Sequence, residues 1–415
     1  MQQVAQQLWQ WLEEAAQCST TQWQQQGVTR LIATAEHRAL LNQLKKWMKA
    51  AGMTTLIDPA ANLIGRYPSA SPHAKTLIFG SHQDSVPCGG KYDGILGILL
   101  PLALVNYFHQ QGKKFKFNIE IIAFSDEEGA RFPSALIGSK AIAGIFDGHE
   151  LETTDAQGIT LHQALKNFGC APAALLQKPP SYARDSLLGF FEVHIEQGPV
   201  LEQAGLPVGV VNAITGIERH QLTITGKAGH AGTVPMSLRQ DALVGAATVI
   251  KLFNQLCQDN PALVGVVGKI TNYPNGVNVI PETTELTLEL RSPQDAKRLE
   301  ARAKLYQQID QELTAQKLSY QLQQSYEQAA VECSKQLTQT LTRAIEQADI
   351  PVRELFSGAG HDGLAMHHLT DIAMLFIRTV DGLSHHRDEA IVQQDLISAL
   401  NVLNNLCKLI NQEQQ

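Results

Sequence analysis

In the first half of the chain, short apolar runs that end in polar clusters alternate with a helical segment. Residues 75–80 (KTLIFG) and 118–124 (NIEIIAF) predict two buried strands, and residues 95–108 between them predict a buried helix. A further strand is predicted at 190–195 (FFEVHI). Strands that alternate with helices favour a largely parallel sheet, whose ligand sites lie beyond the carboxyl ends of its strands. The polar clusters occur at those ends, so the pattern predicts a functional site there.

The pattern changes near residue 212. Strands are predicted near 217–226, 264–271, 284–291 and 319–325, and helices at 238–257 and 295–315. This β-α-β-β-α-β order is that of the ferredoxin-like split βαβ unit. We expect two helices to cover one face of its sheet and the other face to be exposed. Such a face suits a lid or a dimer surface, and the order of the elements leaves both open.

The α/β pattern returns after residue 327, with a helix near 334–348 and a strand near 372–378. We therefore expect a discontinuous larger domain and an inserted smaller one. Their predicted ranges are 1–211 and 328–415 for the larger domain and 212–327 for the inserted domain.

The amino-acid composition indicates a folded globular protein and argues against several kinds of partner. Apolar residues make up 44% and charged residues 18% of the chain, as in folded globular proteins. The net charge of -7 gives no electrostatic reason to expect nucleic acid or an anionic membrane as a partner. The six cysteines stand singly, which favours reduced thiols over disulfides. We find no secretory signal and no apolar run near the ~20 residues that cross a bilayer, so we expect a cytoplasmic protein.

The first polar cluster follows the strand at 75–80. His82 and Asp84 lie two positions apart on an extended segment, so their side chains point to the same side. The carboxylate can accept one imidazole N–H and direct the other ring nitrogen at a metal ion. A His-x-Asp pair also occurs by chance in solvated loops, and taken alone it favours that alternative.

Carboxylates follow in the next loop and after the second strand. Asp93, in a Gly-flanked loop, suits a helix N-cap or a bridge between two cations. Asp126, Glu127 and Glu128 are consecutive, and a metal ion would relieve their mutual repulsion at the end of a buried strand. Because neighbours on an extended segment point in opposite directions, Glu127 and Glu128 can serve different purposes, one as a base and one as a ligand. An acidic turn is the alternative.

Two histidines complete the candidate set. His194 stands at the end of its strand, and His385 follows the last strand. Any one of the 14 histidines is more often structural or exposed than a ligand. Three histidines and two carboxylates at strand ends of one predicted sheet, however, form the mixed nitrogen and oxygen donor set that a two-metal site requires.

Eight motifs carry a family resemblance from about residue 76 to the end of the chain. They are GSHQDSVPCGGKYDG, FSDEEGARF, FEVHIEQGPVLE, GKAGHAGTVPM, NVIP, LELRSP, SGAGHD and GLSHHRDE. In this order they resemble the M20 metallopeptidase-like amidohydrolases. HIEQGP favours the hydantoinase/carbamoylase branch, which includes N-carbamoyl-L-amino acid hydrolases, allantoate amidohydrolases and β-ureidopropionases. The resemblance implies a di-metal phosphorylase/hydrolase-like catalytic domain with an inserted ferredoxin-like lid and dimerisation domain, and it assigns no role to the N-terminal helices.

The resemblance also implies how the metal ions are held. His82 and His194 would bind one ion, Glu128 and His385 the other, and Asp93 would bridge them. Two divalent ions are implied, with zinc expected and manganese or cobalt as alternatives.

Further roles follow from the same motifs. Glu127 would be the general base for a metal-bridging water, with Asp84 behind His82. His230 and Asn278 would polarise the substrate carbonyl from the partner subunit of a homodimer. The implied substrate-binding residues are Arg291, as the clamp on a substrate carboxylate, and Gln197, Gly358, Ala359 and His361. Taken singly, Arg291 suits a surface charge, His230 a turn and Asn278 an Asx turn.

The last motif departs from the family pattern, in which Asn or Ser and then Pro follow the ligand histidine. Here His386 and Arg387 follow His385. By register His385 is the ligand, with His386 as the neighbour that could replace it. Cys88, in the loop before Asp93, could bind a metal ion through its soft sulfur, although we expect a buried bystander.

We predict a zinc-dependent amidohydrolase that cleaves a non-peptide C–N bond in a small, carboxylate-bearing substrate. Allantoate and an N-carbamoyl-L-amino acid both remain open, because the choice rests on small differences in pocket shape. The alternative enzyme is an M20 aminopeptidase or deacylase that acts on a dipeptide or an N-acyl amino acid. A third hypothesis, a pseudoenzyme that serves assembly, is disfavoured because every expected ligand and the base are present.

Overall fold

The computed structural model describes residues 1–71, 73–177 and 181–414. The elements before residue 200 are α1 (Gln2–Ala16), α2 (Trp23–Gln26), α3 (Ala35–Ala50), β1 (Thr54–Ile57), β2 (Leu63–Tyr67), β3 (Thr76–His82), α4 (Ile95–Gln110), β4 (Asn118–Phe124), α5 (Ile137–Ala143), α6 (Leu161–Asn167) and β5 (Leu187–Ile195). The elements up to residue 332 are α7 (Val200–Ala204), β6 (Val208–Ile214), β7 (Gly216–Thr225), β8 (Gly229–His230), α8 (Ala242–Gln258), β9 (Val264–Val266), β10 (Ile270–Tyr273), β11 (Val279–Ile280), β12 (Thr283–Ser292), α9 (Asp295–Ala315), β13 (Ser319–Gln328) and β14 (Val331–Glu332). The remaining elements are α10 (Lys335–Glu346), β15 (Glu354–Ser357), α11 (Gly363–Met366), β16 (Ile372–Ile377) and α12 (Gln393–Glu413). Short 3-10 helices lie at Gly148–Glu152, Pro172–Gln177, Arg184–Ser186, Met236–Leu238 and Val380–Gly382.

Within the described residues, the main sheet has nine strands. Its order is β1-β2-β4-β3-β5-β16-β6-β14, and β15 pairs with β6. The centre is parallel, from β4 through β3 and β5 to β16. The edges are antiparallel, so the expectation of a largely parallel sheet holds for the centre and is wrong for the edges. At one edge, residues 58–62 join β1 to β2, and so short a connection permits only an antiparallel pair.

The centre of this sheet is deeply buried. Every residue of β3 and of β4 is buried. The helix α4 is buried along almost its whole length and packs against α1, α12, β3 and β5. Strands that are covered on both faces carry continuous apolar runs instead of alternating ones, which is why KTLIFG and NIEIIAF were recognisable in the sequence.

The described chain divides into two compact units. The first consists of residues 1–212, 333–355 and 360–415, and the second of residues 213–332 and 356–359. The short segment 356–359 therefore groups with the inserted unit, although it stands far from it in the sequence.

The second unit has its own antiparallel sheet, in the order β10-β12-β7-β13, with β9 also paired to β12. The helices α8 and α9 contact its strands and each other. The single strand expected at 264–271 is wrong, because the chain forms β9 and β10 on separate segments of β12. Between them, Lys269 bonds to Thr287, and this irregular step interrupts the pairing. A separate two-stranded sheet joins β8 to β11.

Across the described residues, no helix combines the length and the apolar character that a bilayer crossing requires.

Candidate metal centre

The candidate ligands come from five separate segments of the first unit. His82 is the last residue of β3, His194 lies in β5, and Glu128 follows β4. Asp93 lies in the loop before α4, and His385 in the loop before α12. Since β3, β4 and β5 run parallel, their carboxyl ends lie at one edge of the sheet, and the two loops bring the remaining side chains to that edge.

The carboxylate of Asp93 is the centre of the cluster. Its Oδ1 lies 3.0 Å from Nε2 of His194 and 3.5 Å from Nε2 of His82. Its Oδ2 lies 3.3 Å from Nε2 of His385, which is 3.5 Å from Oε1 of Glu128. Each oxygen of Asp93 therefore faces a different set of side chains.

The tautomers of two histidines follow from their other ring nitrogens. Nδ1 of His82 lies 3.1 Å from the carbonyl oxygen of Asp84, and Nδ1 of His194 lies 2.9 Å from that of Ile195. A carbonyl oxygen only accepts, so both Nδ1 atoms carry a hydrogen; Nε2 of each ring faces Asp93, where it donates a hydrogen bond when the ring is protonated and offers a lone pair when the ring is neutral. The two Nε2 atoms are 3.5 Å apart. Lone pairs that converge on a buried carboxylate fit a divalent cation with nitrogen and oxygen ligands.

The donor atoms form overlapping groups that could hold an ion. Their ligand atoms lie within 4.8 Å of one another in each of three sets: His82, Asp93 and His194; Asp93, Glu128 and His385; and His82, Glu127 and Glu128. The first two sets share Asp93, as a bridge between two cations would require.

A glycine next to Asp93 makes this packing possible. Gly94 has a φ of +67°, and a Cβ at this position would overlap the imidazole ring of His82. A side chain here would therefore displace the candidate ligand, which explains why the loop carries Asp-Gly before the buried helix α4.

Asp84 links two strand ends. Its carboxylate accepts the backbone N–H groups of Glu127 at 3.0 Å and Glu128 at 3.2 Å. The expected bond from His82 to this carboxylate is only part of the arrangement, since Nδ1 is 3.4 Å from the carboxylate and closer to the backbone carbonyl. The carboxylate thus holds the Glu127–Glu128 turn beside His82.

Burial and neighbouring charges shift the acid–base properties of the cluster. Burial and the adjacent carboxylates raise the pKa of Asp126 and Glu127 well above their usual range, and that of Glu128 to about 7. Burial opposes ionisation of Asp93 too, but the imidazoles of His194, His385 and His82 outweigh it and hold its pKa well below the usual range. The repulsion expected among the consecutive carboxylates is therefore present in the fold.

One residue that the sequence analysis missed is Arg30, which is 2% exposed. Its Nε donates to the carbonyl of Gln83 at 2.5 Å, and its Nη1 donates to the carbonyls of Ala15 at 3.2 Å and Cys18 at 2.9 Å. Burial lowers its pKa to about 10. Gln83 stands between His82 and Asp84, so Arg30 ties the N-terminal helices to a ligand-bearing strand end. An arginine within the apolar run VTRLI was the available signal.

Two further buried acids, Glu192 and Asp362, were also missed. Glu192 accepts the hydroxyl of Ser81 at 3.1 Å and the N–H of Gly363 at 3.0 Å. Asp362 follows His361, whose ring packs edge-on against that of His194 with centroids 4.5 Å apart. A glutamate inside the apolar strand FFEVHI was a recognisable signal for the first of them.

Gln197 reaches the cluster as well. Its Nε2 lies 3.2 Å from Oδ2 of Asp93 and 3.5 Å from Nε2 of His385. Gln197 and His385 both have a positive backbone φ, +58° and +54°, a conformation that residues other than glycine rarely adopt. This conformation is part of what directs both side chains into the site.

His386 and Cys88, which the sequence offered as possible additional or substitute ligands, lie apart from these contacts. The Nδ1 of His386 accepts the N–H of Asp388 at 3.2 Å, whereas His385 faces Asp93. The expectation that Cys88 is buried is wrong, because its side chain is exposed. Its N–H donates to Oγ1 of Thr29, and this bond holds the loop at the surface with the thiol outwards.

The remaining predicted residues belong to the second unit. His230 and Asn278 are both exposed; His230 ends β8 and Asn278 immediately precedes its partner β11, and the N–H of Ala231 donates to the carbonyl of Asn278 at 2.9 Å. Arg291 donates from Nε and Nη2 to Oε1 of Glu289, at 2.9 and 2.5 Å, and from Nη1 to the carbonyl of Gly358. The structure thus pairs His230 with Asn278 and Arg291 with Gly358; Ala359 adjoins Gly358.

Comparison with known proteins identifies the family of this chain. Residues 78–409 match the family described as Peptidase family M20/M25/M40. The chain belongs to this family. This M20 protein is 40% identical over 386 residues to the N-carbamoyl-L-amino acid amidohydrolase of Geobacillus stearothermophilus, with 91% of this chain and 92% of that protein covered. It is 38% identical over 410 residues to allantoate deiminase 2 of Glycine max, with 90% and 84% covered.

A solved structure is similar throughout. The crystal structure of an amidase of the hydantoinase/carbamoylase family from Burkholderia multivorans superimposes with a TM-score of 0.91 at 32% identity and covers 97% of each chain. The predicted membership of the hydantoinase/carbamoylase branch of the M20 amidohydrolases is confirmed.

Proposed function

We propose that this protein is a divalent-metal-dependent amidohydrolase that cleaves the C–N bond of a carbamoyl or ureido group in a small carboxylate-bearing substrate. The convergence of His82, His194, His385 and Glu128 on the two oxygens of Asp93 is the observation that carries the proposal. His82 and His194 would hold one cation, Glu128 and His385 would hold the other, and Asp93 would contribute a carboxylate oxygen to each. Zinc suits these donors, with manganese or cobalt as alternatives.

When bound, two cations at these ligands would lower the pKa of a water molecule and polarise the scissile carbonyl. The chain itself supplies the proton transfer. Glu127 accepts a proton from the attacking water and passes it to the leaving nitrogen. Its backbone bond to Asp84 keeps it beside the ligands.

The second unit supplies substrate contacts in this proposal. His230 and Asn278 lie on neighbouring segments and are exposed, so a substrate carbonyl can reach both side chains, which would donate to the developing oxyanion. They act in the site of the partner subunit of a homodimer. Arg291 binds the substrate carboxylate, and Glu289 and Gly358 hold its guanidinium in place. Gln197, Ala359 and His361 complete the list of substrate-binding residues.

The relatives narrow the substrate to two classes. An N-carbamoyl-L-amino acid would take up one water and yield ammonia, carbon dioxide and the free amino acid. Allantoate would release ammonia and carbon dioxide from one of its two ureido groups. Both substrates carry a carboxylate that Arg291 can bind.

A substrate panel tests the proposal. The purified protein is loaded with Zn²⁺, Mn²⁺ or Co²⁺ and assayed with allantoate, N-carbamoyl-L-amino acids, N-acetyl amino acids and dipeptides. Ammonia is released only from ureido and carbamoyl substrates, whereas a dipeptide or an N-acyl amino acid yields a new amine without ammonia. We expect ammonia release that depends on the added cation. Faster cleavage of dipeptides or N-acetyl amino acids than of every ureido substrate would instead favour an aminopeptidase or deacylase.

A further inference from the structure

Glu389 is a buried carboxylate that the proposed reaction does not use. It is 3% exposed. Its Oε1 accepts the backbone N–H groups of Tyr92 at 3.2 Å and Asp93 at 3.1 Å, and its Oε2 accepts the hydroxyl of Ser384 at 2.9 Å. Both oxygens are therefore occupied by donors from two segments that are almost 300 positions apart in the sequence.

Each of those segments carries a candidate metal ligand. Asp93 itself donates one of the N–H groups, and Ser384 immediately precedes His385. The N–H of Glu389 donates to the carbonyl of His386 at 3.0 Å, which closes the turn directly after His385. One side chain thus connects the loop of the bridging carboxylate to the loop of the last histidine.

The loop that precedes Asp93 is shaped around this carboxylate. A Cβ at Gly90 would overlap both the carboxyl group and Cβ of Glu389. The loop therefore lies directly on Glu389, and a side chain at position 90 would push the two segments apart. This contact is independent of the hydrogen bonds and indicates the same connection.

We propose that Glu389 is a positioning residue that keeps Asp93 and His385 at the separation needed to bind one cation together. The proposal rests on the proposed function, in which Asp93, Glu128 and His385 hold a cation. Nε2 of His385 lies 3.3 Å from Oδ2 of Asp93. Metal sites tolerate displacements of only about 0.5 Å in their ligands, so a loop that is free to move would bind the ion poorly.

The two candidate cation sites depend on Glu389 to different degrees. His82 and His194 lie on the central strands β3 and β5, whose backbones are fixed by sheet pairing. His385 lies in a loop with a φ of +54°, a conformation that its surroundings must maintain. Loss of Glu389 should therefore weaken the cation held by Glu128 and His385 much more than the cation held by His82 and His194.

The test uses the variants Glu389→Ala and Glu389→Gln, with Asp388→Ala as the control. The side chain of Asp388 is 66% exposed and adjoins Glu389 in the same loop. Each protein is freed of metal with a chelator and titrated with Zn²⁺ and with Mn²⁺ in a calorimeter, and retained metal is counted after gel filtration. Thermal unfolding is recorded with and without added cation.

For Glu389→Ala we expect the site of Glu128 and His385 to lose about 10–100-fold in affinity, as when other partners of metal ligands are removed. The site of His82 and His194 should change little, and one cation should remain after gel filtration. Glu389→Gln should recover most of the affinity, because the amide oxygen can accept both N–H groups and the amide NH₂ can donate to Ser384. Asp388→Ala should bind like the wild type.

The contrary outcomes are separable. If Glu389→Ala bound both cations with wild-type affinity, or lowered the unfolding temperature equally with and without cation, Glu389 would have no positioning role. If the wild type itself bound no divalent cation, the proposed function would fail.

Discussion

Both units bury charged side chains, but they compensate those charges in different ways. In the second unit Glu218 is fully buried, and its Oε2 lies 2.5 Å from Nη1 of Arg298 and 3.3 Å from Nη1 of Arg302. Arg298 also reaches Asp295 at 3.1 Å and Glu327 at 3.2 Å. Here the chain provides its own cations.

The first unit buries more acid and much less base. Its buried carboxyls are those of Asp58, Asp84, Asp93, Glu120, Asp126, Asp155, Glu192, Asp362, Glu389 and Asp395. Three of them, Glu120, Asp155 and Asp395, pair with the less buried Arg66, Arg131 and Arg378, and none of these three lies at the candidate metal centre. Among the described residues of this unit, Arg30 is the one buried arginine or lysine. Its guanidinium donates hydrogen bonds to backbone carbonyls and not to a carboxylate. An uncompensated buried charge is strongly unfavourable, so the carboxylates around Asp93 require protons or external cations, whereas Glu218 requires neither. This difference, more than the number of charged residues, distinguishes a metal site from a structural ion-pair network.

The largest expected effect distinguishes a catalytic carboxylate from a metal-binding one in the acid-rich cluster, by which we mean Asp84, Asp93, Asp126, Glu127 and Glu128. Glu127→Gln should lower kcat by about 10²–10⁴-fold, because a general base is lost. Bound metal should stay at the wild-type level, since the proposed ligands are all retained. Steady-state kinetics on the best substrate of the panel and elemental analysis of the same samples check this. The exposed Glu152→Gln is the control, and wild-type kcat in Glu127→Gln would refute the role of Glu127.

The next effect concerns the buried ion-pair network of Glu218, Arg298 and Arg302 in the second unit. Arg298→Met leaves Glu218 buried without its main partner and should destabilise the second unit by about 3–5 kcal/mol. Hydrogen exchange at β7 and α9, followed by mass spectrometry, measures the loss. Adding Glu218→Gln to the variant should restore much of the protection. Arg343→Met, at the exposed Arg343–Glu413 pair, should change stability by less than about 1 kcal/mol. An undiminished protection in Arg298→Met would show that the pair does not hold this unit together.

Cation addition should stabilise only the acid-rich cluster. At a free cation concentration of 100 times Kd, the native state gains about 2.7 kcal/mol. The unfolding temperature of the chelator-treated protein should therefore rise with Zn²⁺ or Mn²⁺, with new exchange protection around β3, β5 and α4. Asp93→Asn should abolish most of this gain. An equal gain in that variant would mean that the cation binds elsewhere.

The smallest effect concerns a third way to bury an ionisable group, which is to keep it neutral. His37 is fully buried, and burial, with Arg30 and Arg38 nearby, lowers its pKa to about 3. An unfolded histidine titrates near 6.5, so the unfolded state holds the extra proton between these two values. Stability is therefore complete above about pH 6.5 and declines below it, by up to about 1.4 kcal/mol per pH unit.

Urea unfolding at several pH values should show a shallower acid-side slope for His37→Gln than for the wild type. Cation-binding groups titrate equally in both proteins, so the difference isolates His37. Parallel slopes would contradict a neutral buried imidazole.

Segments with a strong local pattern were predicted well from the sequence. The ranges 118–124 and 295–315 agree with the observed β4 and α9. The helix expected from residue 238 instead begins at Ala242, because the side chain of Asp241 caps it by accepting the N–H groups of Leu243 and Val244. Boundaries of this kind depend on a few hydrogen bonds and leave little trace in the hydrophobic pattern.

The amino-acid sequence by itself determined the family, the order of the elements and the types of residue that converge at the sheet edge. Those features are local, because a strand end followed by His-x-Asp or Asp-Glu-Glu is visible within a few positions. The central place of Asp93 among the histidines was already expected from the family resemblance. Only the tertiary structure decided that Arg30 holds Gln83 and that Glu389 joins two loops. Each of these depends on partners that are distant in the chain, and an isolated Arg or Glu carries no mark of the atoms it will meet. Burial gives such contacts their energetic weight, and burial is a property of the folded chain.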